Sequence, residues 1–132
     1  MRVLLGVGCD RGTPLETLET AVDQALKLAG LDRVAVQGLA TIDKKSDEAC
    51  ILMLAARWNW PLHFFSAEEL AKVPVPNPSA TVLKYMGTPA VAEAAALLAA
   101  HAGLKHLLVE KHKHRGADGR NATVSIVRTG NE

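Results

Sequence analysis

Positions 3–30 read as a strand, a glycine-rich turn and a helix, and that order constrains the fold more than any other feature of the chain. Val3-Leu4-Leu5-Gly6-Val7 is a continuous apolar run, the pattern of a strand covered on both faces in a parallel sheet. The run breaks at Gly8-Cys9-Asp10-Arg11-Gly12, where Gly8 and Gly12 permit tight or positive-φ backbone. Thr13 is placed to N-cap a helix, Pro14 suits its first position, and Glu16 completes a Thr-x-x-Glu capping box. Apolar residues then recur at helical spacing from Leu15 to Ala29, and Gly30 follows as a C-cap candidate. The unpaired amides and dipole of such a helix start favour an anion, and Arg11 adds a charged fork for a carboxylate or phosphate. A turn that needs glycine and a cap for geometry alone has the same pattern, so the motif by itself leaves both readings open.

At 132 residues with 48% hydrophobic content, the chain is expected to form a single domain, 1–132, with a core that needs no disulfide or metal staple. A formal net charge of +1 gives no broad electrostatic footprint for nucleic acid or membrane, so a small-molecule ligand in a local site is expected. Two cysteines, Cys9 and Cys50, with no signal-peptide pattern and no bilayer-length apolar run, point to a cytoplasmic protein with free thiols, and a disulfide between them stays open because sequence does not give their separation. No cofactor is expected.

Further along, Arg33 to Leu39 reads as a second strand, and Thr41 to Glu48 as a polar turn into a helix capped by Ser46. Glu48 to Trp58 is helical, Leu62 to Phe65 strand-like, and Ser66-Ala67-Glu68-Glu69 opens a brief helix through a capping box. Val73 to Ser79, with three prolines, is an extended connection within the domain, placed where a lid beside the ligand would lie. Thr88-Pro89 repeats the cap-plus-proline start, and Ala90 to Ala102 is an alanine-rich helix that Gly103 would end. His106 to Lys111 and Ala122 to Val127 are two final strands joined by a basic turn. The expected fold is therefore a three-layer α/β/α arrangement with a mostly parallel central sheet and an antiparallel C-terminal strand pair. Ligands of such sheets collect outside the carboxyl ends of the strands, which would bring the turns at Gly8 to Thr13 and Thr41 to Glu48 to one cleft.

Three segments together resemble one family: Gly6-Val7-Gly8-Cys9-Asp10-Arg11-Gly12, Leu39 to Glu48, and Gly87-Thr88-Pro89-Ala90-Val91-Ala92-Glu93-Ala94-Ala95-Ala96. In their order and spacing they are similar to CobE and the C-terminal domain of CbiG, from cobalamin biosynthesis. The likeness runs through Leu108 to Lys111 and Thr123 to Ile126. It implies a protein that binds or processes a precorrin-type tetrapyrrole in corrin-ring assembly, with other cobalamin biosynthesis enzymes as potential partners. CbiG is associated with opening a ring-derived lactone and releasing acetaldehyde. These 132 residues do not include CbiG's additional N-terminal domain, so that activity does not transfer directly and the domain could bind without catalysing.

A precorrin is an apolar macrocycle rimmed by acetate and propionate carboxylates, so its receptor needs apolar walls and separated anion sites. Candidate ligand-binding residues are Gly8, Cys9, Arg11, Gly12, Thr13, Thr41, Asp43, Lys44, Gly87, Thr88 and Glu93, with Lys84 a further cation. Asp43, Asp47 and Glu48 are the candidate acids or bases for the hydrolytic alternative, although acids in a helix's first turn are also ordinary dipole partners. No partner for Cys9 can be placed by spacing, so it is not taken as a nucleophile. Lys111-His112-Lys113-His114-Arg115 reads as a solvated basic hairpin with no metal ligand set, and Trp58 and Trp60 as packing residues. The spacing Gly6-x-Gly8-x-x-x-Gly12 is a weak match to a nucleotide-binding turn, lacking the glycine at the helix start and an acid ending the second strand.

Overall fold

A computed structural model of the chain describes residues 1–75 and 91–129. The candidates Lys84, Gly87 and Thr88, the segment from Pro76 through Pro89, and the second cap-plus-proline start lie outside those residues.

Five strands form one sheet in the order β3-β2-β1-β5-β4. They are β1 (Val3–Cys9), β2 (Val36–Ile42), β3 (Leu62–Phe65), β4 (Leu107–Arg115) and β5 (Asn121–Arg128). The helices are α1 (Leu15–Leu28), α2 (Ala49–Trp58), α3 (Ala67–Ala71) and α4 (Val91–Ala100). Alternate residues of β1 divide the core. Val3, Leu5 and Val7 pack with Leu18, Val22 and Leu26 of α1 and Ile51 and Leu54 of α2. On the opposite face Leu4 packs with Leu97 and Ala100 of α4, and Ala40 and Ile42 of β2 pack with Ala94 and Ala95 of α4 and Leu70 of α3. Each fully buried leucine or isoleucine contributes roughly 1.5–3 kcal/mol. The three-layer α/β/α expectation holds, and so does the antiparallel C-terminal pair.

The sheet is mixed, not mostly parallel: β1–β2 and β2–β3 are parallel, whereas β1–β5 and β4–β5 are antiparallel. The reason lies in the hairpin's composition. Ala122, Val124, Ile126 and Val127 are buried, so β5 takes a central place beside β1. The Lys- and His-rich β4 can only be an edge strand.

Several local expectations shift. Thr13 does not cap α1: its hydroxyl donates to the Asp10 carbonyl, and Pro14 is the N-cap without a side-chain bond, so no capping box forms there. Gly8 belongs to β1, and among the turn glycines Gly12 alone takes positive φ, at 77°. The second strand starts at Val36 because Asp32 accepts from the Val34 amide and winds Arg33–Ala35 into a 3-10 turn. Ser46 closes the 3-10 turn Asp43–Lys45, and the N-cap of α2 is Glu48. Ser66 does form its capping box with Glu69. The left-handed stop after α4 is His101, with φ 51°, and not Gly103. The basic run lies within β4, where the His112 ring nitrogen Nε2 meets Gln24 Oε1 at 2.7 Å.

Gly6 sets how closely α4 lies on the sheet. A Cβ there would stand 1.7 Å from the Ala92 carbonyl oxygen, which accounts for the alanine-rich helix above it. Val91 lies near Gly8, Ala92 and Ala96 near Gly6, and Leu97 and Ala100 near Leu4. Hence α4 runs antiparallel to β1 and, like α1, begins at the carboxyl edge of that strand, on the opposite face. No helix among the described residues is long and apolar enough to cross a membrane.

Candidate functional site

The turn after β1 is held from two sides. From β5, the Asn121 amide donates to Asp10 Oδ2 at 2.8 Å and the Asn121 carbonyl accepts from the Asp10 amide. Arg120 Nε donates to the Arg11 carbonyl at 3.0 Å and covers Gly12, where a Cβ would come within 3.4 Å of the guanidinium. From the side of β2, Arg11 reaches into the second polar loop. Its Nη1 donates to Asp47 Oδ1 at 2.7 Å and its Nη2 to the Lys44 carbonyl at 2.6 Å. The two loops expected to share a cleft do meet, and Arg11 is the joint.

Beneath Arg11 the groups become buried. Glu48 Oε2 accepts from the Gly12 amide at 3.2 Å, so the chain's own carboxylate fills the anion position of the turn. Its Oε1 has no hydrogen-bond partner and faces Arg11 Nη1 at 3.5 Å and Lys45 Nζ at 3.9 Å. The Lys45 and Glu48 side chains are only 4% and 5% exposed, so these two charges are held in a poorly solvated pair. Arg11 and Asp47, by contrast, are 56% and 78% exposed. Their hydrogen bond raises the Arg11 pKa and holds the Asp47 carboxyl below its ordinary range.

Cys9 and Cys50 stand beside this pair, with their sulfurs 3.6 Å apart. The hydrogen bond from Cys50, aided by the Lys45 charge, holds the Cys9 thiol below its ordinary range against the opposing effect of burial. Cys50 is pushed up by the same hydrogen bond and by burial. Cys9 is half-buried and Cys50 buried. Spacing could not place a partner beside Cys9; the fold brings Glu48 and Cys50 there, with donor atoms within 4.8 Å of it and of each other.

Other candidates lie apart. Thr41 is fully buried and donates its hydroxyl to the Val7 carbonyl, so it serves the sheet and does not face a ligand. Asp43 and Lys44 are exposed in the 3-10 turn. Glu93 is buried in the first turn of α4, on the other face of the sheet, with Oε1 3.8 Å from Lys111 Nζ and Oε2 without a hydrogen-bond partner. Burial raises its pKa, and Lys111 opposes the rise only in part. Trp60 joins the core, while Trp58 stacks on it under the Arg33 guanidinium, 4.0 Å from the ring centroid. A groove with an apolar base of Val73, Pro74, Leu97, Leu98 and Ala102 and with Glu69, Lys72 and His101 also in its lining sits at the far end of α4, away from the carboxyl edge.

Sequence reasoning missed Lys45, Cys50, Arg120 and Asn121. Lys45 reads as one more charge in a polar turn, the separation of Cys50 from Cys9 is not given by sequence, and the last two lie 109 and 111 residues from their partners.

The fold and the loops define an α/β domain with a charged, thiol-containing site at the carboxyl edge of its first strand. Residues 3–127 match the family model described as cobalamin synthesis G C-terminus, and the chain belongs to that family. It is 33% identical over 122 residues to a cobalt-precorrin-5A hydrolase of Priestia megaterium, covering 92% of this chain and 31% of that protein. It is 35% identical over 100 residues to protein CobE of a Sinorhizobium species, covering 74% and 65%. The chain spans less than two thirds of the length of either relative. Among solved structures it is similar to CobE, a protein of the cobalamin biosynthetic pathway, with TM-score 0.79, 30% identity and coverage of 98% and 93%. It is likewise similar to the cobalamin biosynthesis protein chiG of Agrobacterium tumefaciens, with TM-score 0.68, 28% identity and coverage of 98% and 99%.

Proposed function

We propose that this domain, acting as one unit over 1–132, binds a carboxylate-rimmed precorrin-type intermediate of corrin-ring assembly at the carboxyl edge of β1. The observation that carries the reading is Arg11. Its guanidinium is exposed and oriented by the Lys44 carbonyl, and its carboxylate partner, Asp47, is a surface side chain. Such exposed pairs are weak, so a ligand carboxylate can take the place of Asp47 on the same fork. Glu48, Lys45 and Cys9 lie beneath Arg11 and form the floor. The names of the relatives support the substrate class, and cytoplasmic partners from the same pathway fit it.

Ultraviolet-visible titration with precorrin or corrin ligands tests the proposal: the pigment spectrum should shift and the pigment co-elute with the protein on gel filtration. Loss of both signals removes the reading.

A second reading, hydrolysis, is favoured by Glu48. Its buried, unpartnered Oε1 beside Lys45 is suited to take a proton from water attacking a lactone carbonyl, after which the ring C–O bond breaks to an acid and an alcohol. Acetaldehyde release, assayed with and without the N-terminal domain of CbiG, separates catalysis from binding alone.

A further inference from the structure

We propose that Cys9 and Cys50 form a redox-modification site, a dithiol that accepts a low-molecular-weight disulfide as oxidant and closes into an intramolecular disulfide. Cys9 ends β1, Cys50 lies in the first turn of α2, and their sulfurs share a hydrogen bond at 3.6 Å. The two thiols are unequal in access: Cys9 is half-buried and Cys50 buried. The more open residue suits the attacking thiol and the enclosed one the resolving thiol. The Cys50 hydrogen bond lowers the Cys9 pKa and Lys45 adds to the effect, while burial and the Glu48 carboxylate oppose it.

The chemistry balances. The Cys9 thiolate attacks one sulfur of the small disulfide, forming a mixed disulfide and releasing one thiolate. The Cys50 thiol gives its proton to that released thiolate, and its sulfur attacks Cys9 Sγ and expels the second thiolate, which takes a proton from solvent. The protein loses two electrons and two protons, and the oxidant leaves as two thiols. The same sulfurs with Glu48 resemble a metal donor set, but Gly12, Arg11 and Lys45 already address that carboxylate at 3.2, 3.5 and 3.9 Å. That carboxylate is already committed to two cations and a backbone amide, so thiol exchange is the chemistry the cluster favours.

The test uses the full reduced chain with oxidised glutathione, followed by alkylation of the remaining thiols and peptide mass mapping. Both thiols should disappear together, a Cys9–Cys50 cross-linked peptide should appear without retained glutathione, and dithiothreitol should reverse the change. In Cys50→Ser, Cys9 should retain one glutathione; in Cys9→Ser, Cys50 should stay unreacted. Glutathione retained on Cys9 of the unaltered chain, a cross-link between two chains, or stoichiometric zinc that protects both thiols from alkylation would each overturn the proposal. The decisive map needs no variant, and its outcome is independent of whether a corrin ligand binds.

Discussion

Glu48 accepts a hydrogen bond from the Gly12 amide at 3.2 Å, closing the glycine-rich turn with a carboxylate from the following β-α loop. The same side chain neutralises Lys45, which is buried with it. Glu48→Gln retains the shape and an acceptor for Gly12 but leaves the ammonium uncompensated. It should cost about 3 kcal/mol in urea unfolding, the lower end for breaking a buried pair, and Lys45→Met in that background should restore most of the loss. Additive losses would show that the two charges are not coupled.

Gly6 and Gly8 make a matched pair of controls on the other face. Gly6→Ala forces a methyl into the Ala92 carbonyl of α4 and should cost about 3 kcal/mol, because backbone cannot step aside. At Gly8 the nearest atom to a built Cβ is Val91 Cγ1 at 4.0 Å, so Gly8→Ala should leave the denaturant midpoint nearly unchanged.

Arg11→Ala should weaken corrin-ligand binding roughly tenfold or more, by loss of a charge-assisted fork, and should lower the melting temperature modestly, since the bonds that join the two loops go with it. Lys113→Ala should weaken it less. Asp47→Ala should leave affinity equal or improved, since it removes the internal competitor for the guanidinium. Equal losses for Arg11→Ala and Lys113→Ala in the spectral titration would move the site elsewhere.

Glu93 should make the protein less stable as pH rises. Burial raises its folded pKa above the ordinary 4.5, so the folded state binds the proton more tightly than the unfolded chain. Its favourable contribution is complete below 4.5 and is lost as pH climbs through the higher folded value. Lys111 and Lys113 moderate the effect and Glu110 adds to it. Glu93→Gln should flatten this slope in unfolding curves taken from acid to neutral pH, and should be stabilising at pH 7.

What local chemistry decides was legible in the sequence. The apolar run before Gly8, the periodicity of α1, the Ser66 capping box and the alanine helix each follow from neighbours a few residues apart. The departures were decided at a distance or by competing hydrogen bonds. Thr13 gives its hydroxyl to Asp10 and not to the helix, and the sheet is mixed because β5, with less charge to keep wet than β4, pairs antiparallel with β1. At the site, Arg11 and Glu48 were foreseeable because both follow parallel strands that end at one edge. The burial of Lys45 and the contact of Cys50 with Cys9 depend on how α2 docks, and periodicity does not encode that. Asn121 and Arg120 reach the turn only once the C-terminal hairpin is in place.

The central pairing of β1 with β5 has a consequence for biogenesis. A nascent chain can build β1, β2 and β3 early, yet β1 then presents an unprotected hydrogen-bonding edge until the C-terminal hairpin leaves the ribosome. Folding must wait for a long-range closure, and in that interval the thiol and the acids at the end of β1 are not yet walled in by their final neighbours.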